Sequence, residues 1–488
     1  MQTQESFLSS LNNDVMRLLL ANILLDRGFG RSIENHMNMI FQAETPELGV
    51  NLAALLEFDR ILKERNNRYR SKCTILFSVL VIFSFLWLAI LFNPGMLGIS
   101  LLILAVIFFI WGILAYIYYT KLYEERYVLS ELFTKEKYSP LEIVKNFDLR
   151  NTRYGSNAEK NLVIYGGDSP FIGAGINIGG WSFVIDLGKS KDNAMGISEE
   201  MLHFEANDLF EVLHAMCEDL GIDGLSDKNY YFVSGKDIRE EEPILPHICS
   251  FPRQKIPVSI LDTYSRQEDA KIRKYKWIQQ HIWKDNVLLS FFFYCDVKGN
   301  NLFVETNKFI LLPIDEQYRQ MDRLPPWNST TKRELIAGSC LLAPFFALPL
   351  AFEHFADILD FEFLARAIMP GKGQHKFREI ENNPKYNYGS FSSFREKISA
   401  KRFDNPFQAL DAQMFTKILE RCILNSIVDF LDQHNIDTSD IKERQTTILN
   451  SGIMVQGGNI TADSIATGTG AQAIVSNLSP TQNRSKAS

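Results

Sequence analysis

Two unbroken apolar runs dominate the hydrophobic pattern of the chain. Residues 73–92, from Cys73 to Phe92, read CTILFSVLVIFSFLWLAILF, and residues 97–119, from Leu97 to Tyr119, read LGISLLILAVIFFIWGILAYIYY. Neither holds a charged side chain. Twenty helical residues at about 1.5 Å each span about 30 Å, the thickness of a bilayer core. Buried helices of soluble domains rarely run this long without one charge, so the pattern predicts a two-helix transmembrane hairpin. Asn93, Pro94, Gly95 and Met96 separate the runs. Pro and Gly in so short a link predict a tight turn between antiparallel neighbours.

The flanks predict an orientation. Arg60, Lys63, Arg65, Arg68, Arg70 and Lys72 precede the first run, Lys121 and Arg126 follow the second, and the turn carries no charge. The positive-inside rule then places both termini in the cytoplasm. Tyr116, Tyr118, Tyr119 and Tyr123 fall where an interfacial aromatic belt would sit. With no ionisable side chain to line a path, the hairpin is expected to be an anchor, with the lipid bilayer as its partner.

Outside the hairpin the periods are those of a water-soluble α+β protein. Apolar residues recur at helical spacing over 6–44, interrupted near Gly28-Phe29-Gly30, and a second helical stretch over about 50–72 leads into the first apolar run. Residues 1–72 therefore read as a helical unit standing before the hairpin of residues 73–119. Residues 120–155 read as a continuation of the second membrane helix and a linker. Within them, Ser139-Pro140-Leu141-Glu142 has the N-cap, first-turn proline and acidic third position of a new helix.

From 156 to 330 the period shortens. NLVIY, WSFVIDL, KNYYFVSG and two or three segments of NVLLSFFFYCDVKGNNLFVETNKFILLPI read as strands, with Lys298-Gly299-Asn300 as a hairpin turn. ANDLFEVLHAMCEDLGI reads as an amphipathic helix. The whole is a large cytosolic α+β domain. Residues 331–447 read as helical. Pro344 and Pro349 break ELIAGSCLLAPFFALPLAF, which favours an interfacial or buried helical hairpin over a third span. MFTKILERCILNSIVDFLDQHNI, 414–436, reads as an amphipathic helix ending near Asn435.

Residues 448–488 are Gly-rich, with isolated Ile and Val between glycine corners, as in one or two rungs of a β-solenoid, and they end in a polar tail. Two rungs bury no core alone. Such a segment stacks on other copies, giving a homo-oligomer, or on a partner, or it remains a loose tail.

Composition adds limits. The 488 residues are 46% hydrophobic with a formal net charge of −7. The mean hydropathy is −0.08, so the membrane signal is local. No basic block points to nucleic acid. Cys73, Cys217, Cys249, Cys295, Cys340 and Cys422 are scattered without a CxxC pair, which predicts reduced cysteines and not a disulfide framework or zinc site. The N-terminus lacks the charged and apolar regions of a signal peptide.

The loop Gly166–Gly180, GGDSPFIGAGINIGG, is the most suggestive local chemistry. Glycines let a backbone present N–H groups to an anion, so Gly167, Asp168, Ser169, Gly173 and Gly175 are the candidate ligand-binding residues. The spacing is not GxGxxG, because Ile178 stands in the third glycine's place, and the loop leads into a strand. The competing reading is a glycine-rich β-hairpin connection. Gly188-Lys189-Ser190 is no P-loop, since Phe183 stands where its first glycine belongs. His203 and His214 lie too far apart on a helix to share a metal. No catalytic motif stands out, and no cofactor is expected.

Three segments, NLVIYGGDSPFIGAGINIGGWSFVIDL, NLFVETNKFILLPI and FLDQHNIDTSDIKERQTTILNSGIMVQGGNITADSIATGTGAQA, lie behind the hairpin. This combination resembles a bacterial, actinobacterial-type family of two-helix membrane proteins of unknown function. The resemblance implies an inner-membrane location and no activity. The Gly-rich C-terminal segment is also similar to short segments of bacterial conflict and signalling proteins. Two function classes follow. One is a membrane-anchored sensor, effector or scaffold without catalysis, in stress or phage-defence signalling. The other is a nucleotide- or ligand-binding enzyme or receptor using the Gly166–Gly180 loop.

Overall fold

A computed structural model describes residues 2–37, 41–91, 97–147, 149, 160–191, 200–267, 270–284, 286–339, 378 and 380–450. The turn at 93–96, most of the stretch 334–352, Cys340 and residues 451–488 lie outside the described residues. The chain forms two compact units. One comprises residues 1–159, 238–253 and 316–388, the other residues 160–237, 254–315 and 389–488.

The first unit is helical: α1 Gln2–Leu11, α2 Asp14–Leu25, α3 Arg27–Met37, α4 Leu52–Leu91, α5 Leu97–Leu132 and α6 Pro140–Phe147. Asn13 starts α2, its side chain accepting from the Met16 N–H at 2.7 Å, which satisfies one of the helix's open donors. Every residue from Val15 to Ile23 is buried, including Arg17 and Asn22. A buried guanidinium needs acceptors for its fork of donors. Arg17 donates to Asp14 at 2.7 Å, to the Phe133 carbonyl at 2.8 Å and to Asp322 at 2.9 Å, tying three distant segments together.

The break expected near Gly28-Phe29-Gly30 falls just before it. The chain leaves α2 at Asp26, in extended geometry, and Gly28 and Gly30 lie inside α3. A Cβ on Gly30 would stand 2.2 Å from Asp59 Oδ1, so this glycine lets α3 approach α4.

α4 is a single helix of 40 residues, about 60 Å long, so the basic stretch and the first apolar run share one axis. α5 returns beside it. Arg65 and Tyr69 of α4 donate to Glu124 of α5 at 3.3 and 3.0 Å, while Ile110 and Leu114 pack among Leu76, Phe77, Leu80 and Phe83. These pairings run in opposite senses along the two helices, so the pair is antiparallel. Its outward faces are bare: Ile75, Ile82, Phe85, Leu102, Phe108 and Phe109 are all exposed. Only 17% and 28% of the most apolar windows are buried. Core helices of a soluble domain would be covered; these two are long and apolar enough to cross a membrane.

The second unit is a six-stranded mixed sheet with helices on one face. Its strands are β1 Leu162–Tyr165, β2 Ile176–Asp186, β3 Leu225–Ser234, β4 Ile272–Ile282, β5 Val287–Lys298 and β6 Asn301–Leu311, in the order β1-β3-β4-β5-β6-β2. Only β1 and β3 pair in parallel. β5 and β6 are joined through Gly299, at φ 60°, and Asn300, as the Lys-Gly-Asn signal predicts.

α7, Ala206–Asp219, and α9, Pro406–Gln433, cover one sheet face; α8, Val258–Ser265, lies beside β4, and α10, Ser439–Asn450, beside α9. α9 begins eight residues before the expected 414, because Asn405 caps it and Pro406 fits its first turn. Residues 448–450, expected to open the Gly-rich segment, close α10.

The covered face is not purely apolar. Ile278, Leu289, Phe291, Phe293, Val304 and Ile310 pack there against Leu213, Leu419, Ile423 and Ile427. Among them Lys308 meets Glu420 at 2.6 Å and Lys276 meets Asp227 at 2.8 Å, all four side chains nearly buried. Cys217 and Cys295 are buried on the same side. Burial pushes the Cys217 thiol up to about 12, with nearby Asp227 adding to the rise, and burial raises Cys295 as well. Both thiols therefore stay protonated at neutral pH and are poor nucleophiles. Iodoacetamide at pH 8 is expected to spare them in the folded chain and to label them in denaturant. Mass-spectrometric labelling of either in the folded state would contradict this burial.

Candidate functional site

β1 and β2 stand at opposite edges of the sheet, so the Gly-rich loop between them is not a hairpin connection. It crosses the sheet on the face opposite α7 and α9. Phe171 is its anchor. That ring stacks on Phe292 at 4.3 Å and meets Tyr275, Phe309 and Phe232 edge-on or tilted at 5.2, 5.3 and 5.6 Å, thus touching four strands. Aromatic packing of this kind contributes beyond buried area alone.

Glycine is needed where the loop backbone reaches the sheet. Gly175 holds φ at 94°, and a Cβ there would stand 2.2 Å from the Ile310 carbonyl oxygen. Gly173 holds φ at 91°. In this pair of left-handed conformations both N–H groups donate to one oxygen, Glu396 Oε1, each at 2.9 Å. The other carboxylate oxygen, Oε2, accepts from the Ser393 N–H at 3.3 Å, closing a capping box on the short helical turn Phe394–Lys397. The loop thus presents converging N–H donors to an anion, and that anion is a side chain of the same unit.

The five candidate residues separate into two groups. Gly173 and Gly175 come together on Glu396. Gly167, Asp168 and Ser169 sit exposed before Phe171, the Ser169 hydroxyl oxygen accepting from the Phe171 N–H at 3.4 Å. Glu396 is invisible to a local reading, being more than 200 residues away from the glycines it joins. A lone Ser-x-x-Glu was the available signal.

Replacing Glu396 with leucine leaves two N–H groups without their acceptor and is expected to cost about 1–3 kcal/mol for each. Glu396→Gln keeps an acceptor oxygen and is expected to lose less. Thermal unfolding of the three proteins checks the ranking; equal midpoints would remove Glu396 as the clasp of the loop.

Beside the loop the same face carries polar aromatic groups that local motifs do not reveal. Tyr275 and Tyr294 lie 5.2 Å apart, and the Arg273 guanidinium stands 5.5 Å over the Tyr294 ring. Burial pushes both phenols up to about 12, with Glu305 adding at Tyr275 and Asp296 at Tyr294. They are neutral hydrogen-bond donors at physiological pH. On the helix face, His214 Nδ1 lies 3.1 Å from Asp227, the partner of Lys276.

The fold and the loop define a mixed α+β protein with a six-stranded sheet and two long apolar helices. The chain belongs to the AbeC-like domain family, whose family model matches residues 180–462, more than half its length. The match begins at the last glycine of the loop and takes in most of the sheet, α7, α9 and α10. The two long apolar helices and Gly173–Gly175 lie outside it. No curated protein and no solved structure matches the chain.

Proposed function

We propose that this chain is a membrane-anchored sensor or effector of an abortive-infection type of phage defence. The apolar pair within α4 and α5 spans the inner membrane, with both termini in the cytoplasm. The sheet unit is its working part, and it acts by binding and assembly, with no catalytic step assigned. The observation that carries the membrane half is the bare apolar surface of α4 and α5 over two bilayer-length windows. The defence half is supported by the AbeC-like match, which suggests an abortive-infection-type family. Self-association through residues 448–488 belongs to the same reading.

Two experiments test it. Alkaline carbonate should leave the chain in the membrane pellet, and protease added to spheroplasts should leave both termini intact. Bacteria expressing the chain, challenged with a phage panel, should give fewer plaques and die early in infection. Extraction by carbonate would sink the anchor; normal plating on every phage would sink the defence role. Crosslinking before and after deletion of 451–488 tests self-association, which fails if the two patterns agree.

A further inference from the structure

α9 begins with an apolar stripe that stays open to solvent. Phe407 is 67% exposed, Leu410 57% and Met414 48%. Their spacing of three and four residues puts them on one helix face. The inner face of the same turns, Ala409, Ala412 and Thr416, is buried. Trp283 joins the stripe from the β4–β5 turn. Its indole N–H donates to Asp411 at 2.8 Å, which seats it against this part of α9, while the residue remains 44% exposed.

The turn that presents Trp283 is strained. Trp283 and Lys284 hold φ at 56° and 53°, consecutive left-handed residues without the glycine or asparagine that such backbone favours. L-residues are strained in that region. The chain tolerates that strain in a turn that exposes Trp283 and Lys284.

The rim of the stripe is basic. Lys284 adjoins Trp283, and Lys417 and Arg421 continue the exposed face of α9; all three are exposed. Asp411, beside the stripe on α9, already accepts from Trp283. Apolar side chains, an amphipathic indole and flanking cations are the chemistry of a surface that sinks among lipid headgroups. On such a surface Phe407, Leu410 and Met414 would reach the acyl boundary, Trp283 would lie at headgroup level, and the cations would meet phosphates.

We propose that the face formed by Trp283, Phe407, Leu410 and Met414 docks on the surface of an anionic bilayer. The proposal rests on the anchored reading in one respect: a tether in the same membrane makes a weak surface contact effective.

Met414 and Trp283 are their own probes, because hydroxyl radicals oxidise both. The full chain is placed in nanodiscs of phosphatidylcholine alone, in nanodiscs with phosphatidylglycerol added, and in detergent. Oxidation of Met414 and Trp283 should slow several-fold only with phosphatidylglycerol. Lys417→Gln with Arg421→Gln should lower the docked-to-free ratio roughly 30-fold, from the usual contribution of two basic residues near an anionic surface. Phe407→Ser with Leu410→Ser, at exposed positions, should abolish protection without changing the unfolding midpoint.

Equal oxidation in all three settings overturns the proposal. Protection that ignores lipid charge and fades on dilution also overturns it, in favour of a contact between copies. If the chain does not enter nanodiscs, the anchor reading fails by itself. Flotation with phosphatidylglycerol vesicles then decides docking, and absence of flotation overturns it.

Discussion

Glu420→Leu unfolds the sheet unit at markedly lower temperature or denaturant. Lys308 and Glu420 face each other at 2.6 Å, with side chains only 8% and 6% exposed. Removing one partner leaves a buried, uncompensated charge and costs about 3–5 kcal/mol. The same reasoning predicts that Lys308→Met with Glu420→Leu recovers most of the loss. Two apolar side chains of similar volume need no pairing, and buried ion pairs contribute little over such a replacement. A double-mutant cycle on unfolding midpoints measures the coupling. Additive losses in the cycle would mean that the two side chains do not meet as the structure has them.

Ile110→Lys should remove the chain from the carbonate-resistant membrane fraction. Ile110 lies midway along the second apolar run and packs against α4 with Leu114 and Ala115. A lysine at the centre of a spanning helix costs about 2.5–3.5 kcal/mol for insertion, whereas isoleucine contributes favourably. Its ammonium would also open the antiparallel contact with Leu76 and Leu80. Ile110→Leu is the control, expected to behave as wild type. Fractionation and steady-state abundance give the readout, and an unchanged pellet for Ile110→Lys would mean that this position does not lie at the centre of a spanning helix.

Strong local pattern made much of this fold legible. The β5–β6 hairpin follows from alternating apolar residues around Gly299, and α6 from Ser139-Pro140 and Glu142. β4 was not legible. IRKYKWIQQHI mixes lysines and glutamines with aromatics and shows no clean alternation, yet Lys276 and Gln280 are buried. Their compensation comes from Asp227 and from the Asp223 carbonyl, which only pairing of β3 with β4 brings near. The candidate loop was half legible. Its glycines announce close backbone approach and converging N–H groups, but a periodicity of neighbours cannot name an acceptor so far along the chain.

The hydrophobic run length settled one matter without any tertiary information. Two uncharged stretches near twenty residues make helices long and apolar enough for a bilayer, since length and the absence of charge are properties of consecutive residues. Sheet order is different. That β1 and β2 take opposite edges, that Phe171 spans four strands, and that Glu396 closes on Gly173 and Gly175 all depend on contacts far apart in sequence. Such contacts are chosen by packing and charge compensation over the whole unit, so only the folded chain decides them.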